Sequence, residues 1–224
     1  MSGVVVFETM RVRGARLPLL DAHLDRLRRG VAAVGLPAVP ASLAGEAADR
    51  ARTGGDRVLR LAWSTSGARW SERPVEERAA WRVRAVAVPH PGYPVKTEDR
   101  TAFDRALAAA RAAGAEEPLL ATPEGTVVEG ARFAVVWVER DELCFPDPKL
   151  GGLPSVGLAR LLEVAAEAGV GTRAVRVGIP GLYERPVGLV NAARGLVRVA
   201  VLDGRRVPVS DLLGDLATRF WPSA

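Results

Sequence analysis

The first 35 residues change from one hydrophobic period to another, and the change separates two expected elements. The segment Val4 to Val12 is rich in β-branched residues and predicts a strand that turns at Gly14. Apolar residues then recur at helical spacing up to Gly35; they are Leu20, Leu24, Leu27, Val31 and Val34. The chain is therefore expected to open with a strand pair followed by an amphipathic helix.

The following residues continue this mixture of elements and end in a proline-rich segment. The pattern predicts, in order, a short helix over 43–52, a strand over 57–64, a polar loop and a strand over 81–88. Residues 89–94 hold three prolines and one glycine, a composition typical of a connector. We therefore expect a small N-terminal α/β lobe over 1–90, a connector over 91–96 and a larger C-terminal α/β lobe over 97–224.

The C-terminal part mixes helical and strand periods, which predicts the α+β class. Three helices are expected, over 98–113, over 156–168 after a glycine-proline turn, and at the end of the chain near Phe220. Short strands are expected over 118–121, 126–128, 133–138, 173–177 and 187–190, with a strand pair around Asp203-Gly204. No internal repeat or low-complexity tract interrupts this order.

Composition narrows the classes of protein that the chain can belong to. With 224 residues, 48% hydrophobic and 25% charged, it is typical of a globular protein, and no apolar run has membrane-spanning length. Cys144 is the single cysteine and suits a reducing cytoplasm, while His23 and His90 form no ligand cluster with it. We expect a cytoplasmic protein with no structural metal and no membrane partner.

The net charge of +5 raises the question of a nucleic-acid partner. The arginines are scattered among acidic residues, and the densest run is only Arg26-Leu27-Arg28-Arg29. No pattern of basic and aromatic residues typical of base stacking accompanies them. A solvated arginine-rich surface explains the charge, and we expect no nucleic-acid partner.

Lysine is rare in this chain, and its two occurrences differ in setting. Lys96 and Lys149 are the only lysines among 31 basic residues. An arginine supplies charge but stays protonated, whereas a desolvated lysine can lose its proton and condense with an aldehyde. Lys149 lies in the polar turn Pro146-Asp147-Pro148-Lys149, which needs no functional explanation. Lys96 is therefore the first candidate for a reactive amine, although chance survival of one lysine is an equal alternative.

Five blocks of sequence around Lys96 carry a resemblance to a known family. They are Phe7-Glu8-Thr9-Met10-Arg11-Val12 with Leu19-Leu20-x-x-His23-Leu24-x-Arg26-Leu27, Lys96-Thr97-x-x-Arg100, Glu124-Gly125-x-x-x-Glu129, Leu153-Pro154-Ser155-Val156-Gly157, and Val190-Asn191-Ala192-Ala193-Arg194-Gly195. In order and spacing they resemble the fold-type IV pyridoxal-phosphate (PLP) enzymes, which include the class IV aminotransferases and aminodeoxychorismate lyase. The resemblance implies PLP as cofactor, a homodimer, and a two-lobed D-amino-acid aminotransferase-like fold with a shortened N-terminus.

The resemblance also implies a role for each matching residue. Lys96 would be the Schiff-base lysine and would also move protons at the substrate carbon, and Glu129 would pair with the nitrogen of the pyridine ring. The cofactor phosphate would be bound by Arg26, by the amides of Val156 and Gly157, and by Asn191 and Ala192. The ordinary alternatives are a solvated carboxylate for Glu129, a solvated helix residue for Arg26 and a plain loop-to-helix turn for Val156-Gly157.

Four positions depart from the family pattern. Ala192 stands where the family has serine or threonine, Gly157 where it often has threonine, Leu158 where it has arginine, and Arg132 where an asparagine is usual. The first two departures remove hydroxyl contacts to the phosphate, each of which is worth about 1 kcal/mol. Such losses weaken binding without excluding it.

The choice of reaction depends on Thr9. Aminodeoxychorismate lyases resemble this chain in carrying threonine there, whereas branched-chain aminotransferases have glycine. This favours a lyase that releases pyruvate and leaves 4-aminobenzoate, a step of folate biosynthesis, with Thr9 near the leaving group and a small-molecule amino substrate. Thr9 as a plain β-branched strand residue is an equal alternative. An aminotransferase acting on branched-chain or other small amino acids, and a non-catalytic relative with a degraded phosphate cup, remain open.

Overall fold

A computed structural model describes residues 3–222, which form a mixed α+β structure as predicted. The strands are β1 (Val6–Val12), β2 (Arg57–Ser64), β3 (Gly67–Arg73), β4 (Trp81–Ala85), β5 (Glu117–Ala121), β6 (Val127–Gly130), β7 (Ala134–Glu139), β8 (Glu142–Pro146), β9 (Thr172–Val175), β10 (Val187–Asn191), β11 (Gly195–Leu202) and β12 (Arg205–Arg206). The helices are α1 (Leu20–Ala33), α2 (Leu43–Arg52), α3 (Thr101–Ala112), α4 (Val156–Glu167) and α5 (Asp211–Arg219).

A three-stranded antiparallel sheet of order β1-β2-β3 forms the first layer. Helix α1 packs on β1 because the buried side of the helix carries Leu24, Leu27 and Val31, whose spacing keeps them on one face. These leucines join Met10 of β1 and Leu59 of β2 in one hydrophobic cluster. The small sheet and α1 therefore share a core of their own.

The second sheet has nine strands in the order β6-β5-β4-β11-β10-β7-β8-β9, with β12 paired to β11. Strand β4 pairs in parallel with β5 and with β11. This strand thus belongs to the larger sheet, although the pattern-based boundary at residue 90 groups it with the first lobe. The lobe boundaries themselves stay a prediction, since hydrophobic pattern reports which residues are buried and carries no information about strand partners.

The larger sheet is covered on both faces by helices and apolar side chains. Helices α4 and α5 pack with Val136 and Val190, and Trp81 and Trp137 lie in a separate cluster. A smaller cluster contains Phe103 of α3. Among residues 3–222, no helix is long and apolar enough to cross a membrane.

One strand pair and two strands differ from the sequence-based expectation. The strand pair expected before α1 is wrong, because β1 pairs with β2, which follows α2, and the turn at Gly14 leads to an isolated bridge between Arg13 and Arg16. Residues 67–73 were expected to be a polar loop but form β3, because none of their side chains is fully buried and so no apolar alternation marks the strand. Residues 142–146, for which no element is predicted, form β8. Its hairpin with β7 turns through Arg140 and Asp141, both at positive φ (51° and 63°), without the Asn-Gly or Asp-Gly pair that signals such turns.

Candidate active site

One cavity of about 260 Å³ lies beside β1, the segment around Lys96 and the start of α4. Every residue that the sequence singles out for a catalytic or cofactor-binding role lines it. These residues are Thr9, Arg26, Lys96, Glu129, Val156, Gly157, Asn191 and Ala192. These residues are far apart in sequence, and the fold brings them together around one cavity.

Lys96 is held against β1 by its own backbone. Its carbonyl oxygen accepts a hydrogen bond of 2.9 Å from the amide of Phe7, and Thr97 forms a bridge with Val6. The Nζ atom lies 4.7 Å from the centroid of the Phe7 ring, inside the cavity. Burial, reinforced by the charge of Arg26, lowers the pKa of Lys96 from 10.5 to about 7. A large fraction of this amine is therefore unprotonated at neutral pH.

Arg26 is fixed by a buried carboxylate on the neighbouring strand. Its Nε and Nη2 atoms donate to the two oxygens of Glu8 at 2.7 and 2.5 Å, and Nη1 donates to the carbonyl of Pro154 at 3.0 Å. Glu8 also accepts from Nδ1 of His23 at 2.6 Å. Burial alone would raise the pKa of Glu8, but Arg26 and His23 outweigh it and hold the pKa at about 2. Two of the five guanidinium hydrogens of Arg26 remain for a ligand.

His23 is the member of this group that sequence reasoning left without a role. It is buried, lines the cavity, and its Nε2 has no hydrogen-bond partner among residues 3–222. Burial lowers its pKa, so the ring is neutral, with Nδ1 bound to Glu8 and a bare Nε2. The spacing His23-x-x-Arg26 on one helix face, opposite Glu8, is the signal from which this arrangement could have been predicted.

Glu129 is oriented by a histidine that sequence analysis treated only as a potential metal ligand. Nδ1 of His90 accepts from the amide of Gly92 at 3.1 Å, so Nε2 carries the proton and donates to Oε1 of Glu129 at 2.8 Å. The amide of Leu153 donates to the same oxygen at 3.2 Å. Both donors use one oxygen, and no donor among residues 3–222 binds Oε2, which is left for a proton-bearing nitrogen in the cavity.

The start of α4 forms another wall of the cavity. Ser155 caps the helix, its Oγ accepting from the amide of Leu158 at 3.2 Å. The preceding amides, of Val156 and Gly157, belong to the first turn, where no helical carbonyl is available to them. Gly157 approaches the next wall so closely that a Cβ there would lie 2.5 Å from the carbonyl carbon of Asn191. A side chain at this position, including the threonine of the family pattern, does not fit this backbone.

Asn191 and Ala192 form the wall that Gly157 touches. The Asn191 side chain is used inside its own loop, donating to the carbonyl of Arg132 at 3.1 Å and accepting from the amides of Ala193 and Arg194 at 3.0 and 2.9 Å. It therefore shapes the loop, and one hydrogen of its Nδ2 remains for a ligand beside the backbone groups of this segment. Ala192 lines the cavity without a hydroxyl, as its sequence dictates.

Several further arginines line the cavity, and sequence analysis left them unassigned. They are Arg60, Arg73, Arg100, Arg132 and Arg194. With Arg26 and Lys96 they face only two acidic lining residues, Asp104 and Glu129. Arginine runs in the sequence gave no sign of this group, because its members are far apart along the chain and meet only in the folded structure. The lining therefore carries more basic than acidic side chains, although four of the arginines are paired with carboxylates outside the lining, namely Glu8, Glu98, Glu117 and Glu76.

Features outside this cavity bear on two other expectations. Lys149 lies in a short 3₁₀ turn, Pro148–Leu150, away from the cavity, which agrees with its expected ordinary role. Within residues 3–222, no group of three or more potential protein ligands could hold a metal ion. An adjoining cavity of about 500 Å³ shares Arg26, Glu129, Ser155 and Val156 with the first and extends towards apolar residues of α4.

Together these residues can bind an anionic ligand and place a reactive amine beside it. The arrangement combines an amine of lowered pKa, a carboxylate with one free oxygen, and an arginine and a helix N-terminus that both suit an anion. These groups converge on one enclosed space, where electrostatic interactions are stronger than in water.

Comparison with known proteins agrees with this chemistry. Residues 5–202 match the family model described as amino-transferase class IV. No curated protein sequence matches the chain. Two solved structures are similar in both sequence and shape.

The first is a crystal structure of a provisionally assigned 4-amino-4-deoxychorismate lyase, with 28% identity over 99% of this chain and 91% of that one and a TM-score of 0.84. The second is a hypothetical aminotransferase from Mycobacterium tuberculosis in its apo form, with 26% identity over 96% of this chain and 87% of that one and a TM-score of 0.84.

A third structure extends the similarity of fold alone. The branched-chain aminotransferase from Thermoproteus uzoniensis, with norvaline, has 22% identity over 97% of this chain and 84% of that one, with a TM-score of 0.88. These structures confirm the predicted fold-type IV fold. The family uses PLP, which confirms the predicted cofactor and the class of PLP-dependent transferases or lyases. Because the family match runs through most of the chain, and the matched blocks line one cavity, this chain belongs to the amino-transferase class IV family.

Proposed function

We propose that this protein is a PLP-dependent lyase of the aminodeoxychorismate lyase type, which eliminates pyruvate and leaves 4-aminobenzoate. The observation that carries the proposal is Lys96, an amine with a pKa of about 7 in the same cavity as Glu129 and Arg26. An amine in this state can bond an aldehyde carbon and can take up a proton at neutral pH.

The residues present fit the cofactor. PLP, when bound, supplies an aldehyde and an electron sink that stabilises negative charge on a substrate carbon. Lys96 would hold the aldehyde carbon, and the free Oε2 of Glu129 would hold the protonated ring nitrogen. Arg26 and the amides of Val156 and Gly157 would hold the phosphate, with the backbone at Asn191 and Ala192 closing the same wall.

Contacts within the protein hold each of these groups in place. His90 and Leu153 orient Glu129, Glu8 and Pro154 orient Arg26, and the Phe7 amide anchors Lys96. The lowered pKa leaves Lys96 able to act as a general base at the substrate carbon. This preorganisation supports a catalytic role over a merely inherited fold.

Thr9 supports the lyase in preference to the aminotransferase. Thr9 and Phe7 lie two positions apart on β1, so both side chains face the cavity, while Glu8 faces α1. A hydroxyl here is available to a leaving group in the same cavity as Lys96. An aminotransferase using Lys96 and Glu129 is the second candidate, because the similar Mycobacterium tuberculosis protein is an aminotransferase by name and has a form with α-ketoglutarate bound, at 26% identity.

The first experiment is the visible absorption spectrum of the purified protein with PLP, followed by borohydride reduction and peptide mapping. We expect a new visible band and a covalent label on Lys96, both lost in Lys96→Ala and both kept in the matched control Lys149→Ala. If neither band nor label appears at saturating PLP, the third interpretation is favoured. In that case the protein is a non-catalytic relative, in which Ala192 and Gly157 supply no hydroxyl to the phosphate wall.

A product assay separates the two reactions. A lyase releases pyruvate from 4-amino-4-deoxychorismate without any amino acceptor, whereas an aminotransferase forms a keto acid only when an acceptor is added. We expect pyruvate and 4-aminobenzoate in equal amounts, and a reduced rate in Thr9→Val, which keeps the β-branched shape. Turnover that requires an acceptor would assign the protein to the aminotransferases.

We also propose that the protein works as a homodimer in the cytoplasm and serves folate biosynthesis. The support is the resemblance to fold-type IV enzymes, together with one buried cysteine, Cys144, which suits a reducing compartment. Light scattering on a size-exclusion column measures the assembly directly, and a mass of one chain, 23.8 kDa, would contradict the dimer.

A further inference from the structure

Three arginines from different elements line the cavity. Arg73 ends β3, Arg132 follows β6, and Arg194 lies in the turn between β10 and β11. Arg132 and Arg194 stack on the ring of Trp81, with guanidinium carbons 5.4 and 5.3 Å from its centroid. The side chain of Asn191 also connects their backbones, because it donates to the carbonyl of Arg132 and accepts from the amide of Arg194.

Two of the three are held by carboxylates and keep donors to spare. Arg132 donates from Nε to Glu117 at 2.8 Å and from Nη2 to the carbonyl of Glu116 at 2.6 Å. Arg194 donates from Nη2 to the carboxylate of Glu76 at 2.7 Å and from Nε to the backbone carbonyl of Glu76 at 3.1 Å. These bonds fix both guanidinium planes, and each arginine carries five N–H donors, so several remain for another acceptor.

Arg73 differs because its guanidinium is not paired directly with a carboxylate. Within residues 3–222 it forms no salt bridge, and its hydrogen bond runs to the carbonyl of Pro74 at 3.3 Å. Partial burial of its guanidinium lowers the pKa of Arg73; the charge of Glu76 offsets part of this effect, and the charges of Arg132 and Arg60 lower the pKa further. The pKa of Arg194 is likewise lowered by burial and by the charges of Arg73 and Arg132, against a smaller opposing effect of Glu76. The three guanidinium groups therefore repel each other across the cavity wall, and a bound anion would relieve that repulsion.

We propose that Arg73, Arg132 and Arg194 form an anion subsite that binds a carboxylate of the substrate remote from its amino group. A carboxylate suits the planar donors of arginine, which can bind both of its oxygens at once. The substrate class is therefore an amino compound with a carboxylate at each end, in preference to an amino acid with an apolar side chain. This inference rests on the proposed function for the identity of the reacting amine.

The test compares a dicarboxylate with a monocarboxylate on the purified protein, with and without PLP. Isothermal titration with isophthalate and with benzoate measures the preference for a second carboxylate. We expect the native protein to bind isophthalate at least tenfold more tightly, and Arg73→Gln to lose most of that preference while its affinity for benzoate changes less than twofold. Arg73→Lys, which keeps the charge but cannot bind both oxygens, should lose part of it.

Arg111→Gln is the matched control, because Arg111 is exposed on α3 and does not line the cavity. Arg73 is also exposed at a strand end, so its replacement should leave folding intact. Equal preference for isophthalate in native protein and Arg73→Gln would overturn the proposal. So would a loss of affinity for PLP or inorganic phosphate in Arg73→Gln with unchanged isophthalate binding, which would assign the arginines to the phosphate.

The two proposals fail separately in this design. If PLP gives no visible band, the proposed enzymatic function fails, yet the isophthalate preference is still measured on the same protein. If PLP binds and isophthalate shows no preference, only the anion subsite is overturned.

Discussion

Lys96 combines a position in the cavity with a pKa of about 7, and this combination has a consequence for stability. An amine whose pKa falls on folding binds fewer protons folded than unfolded between pH 7 and its ordinary value of 10.5. The protein should therefore become more stable as pH rises through this window. Burying Lys96 costs a few kcal/mol below pH 7, since each pKa unit corresponds to about 1.4 kcal/mol.

Replacement of Lys96 by methionine removes that cost. Without added PLP, we expect Lys96→Met to melt several degrees higher than the native protein at pH 6 to 7, and the difference to shrink as pH approaches 10. Thermal melts across this pH series measure the effect, with Lys149→Met as the control that should change little. A difference independent of pH would show that the amine is not desolvated.

Glu8 is the second residue whose ionisation is coupled to folding. Its pKa falls from 4.5 to about 2, so the stability that it contributes is complete above pH 4.5 and is lost as pH falls towards 2. Glu8→Gln would leave Arg26 and His23 beside a neutral amide in a buried site. Removing one partner of a buried pair costs about 3–5 kcal/mol.

Urea unfolding at pH 7 tests the Glu8→Gln prediction. We expect a loss of several kcal/mol that becomes smaller as the pH falls below 4.5. Asp25→Asn is the control on α1, the helix that carries the partners Arg26 and His23, because Asp25 is 58% exposed and its pair with Arg28 is worth less than about 1 kcal/mol. Equal losses in the two variants would mean that burial adds nothing to the Glu8 interaction.

At the scale of elements, α4 meets the β10–β11 turn more closely than any side chain allows. A Cβ on Gly157 would lie 2.5 Å from Asn191, a separation that requires backbone movement. We expect Gly157→Ala to melt several degrees lower and to bind PLP at least tenfold more weakly, because the shift displaces the first amides of α4. Calorimetry and PLP titration measure the two effects.

Gly214→Ala is the matched control for this prediction. Gly214 lies inside α5, and a Cβ there would meet nothing within 4 Å. Alanine favours the helix over glycine by about 1 kcal/mol, so this variant should be slightly more stable and unchanged in PLP binding. If Gly157→Ala behaves in the same way, the close approach of α4 to Asn191 is not a constraint.

The same elements show how far the sequence predicts the structure. Helix α2 and strand β2 lie at the predicted residues, because their apolar spacing is set by local burial. Strand β3 could not be predicted in this way, because its exposed side chains show no alternation of apolar and polar residues. The family motifs named the residues around Lys96 and Glu129, whereas His90 and the arginine group became visible only in the fold, because their partners lie far away in sequence.

At the scale of the whole molecule, Arg26 connects parts of the chain that are distant in sequence. Its guanidinium binds Glu8 of β1 in the small sheet and the carbonyl of Pro154, just before α4. A lysine has a single nitrogen and cannot bind both oxygens of Glu8 in parallel while also reaching Pro154. The same side chain therefore sets the position of α1 relative to the start of α4, where the phosphate is proposed to bind.

Arg26→Lys should accordingly affect stability and cofactor binding together. We expect a melting temperature several degrees lower and PLP binding weakened at least tenfold, while Arg29→Lys, an exposed neighbour on α1, should change neither. Calorimetry on the apo protein and titration with PLP measure the two quantities independently. Lower stability with unchanged PLP affinity would make Arg26 a purely structural link. Weaker PLP binding at unchanged stability would mean that Glu8 and Pro154 fix a side chain whose interactions matter only to the ligand.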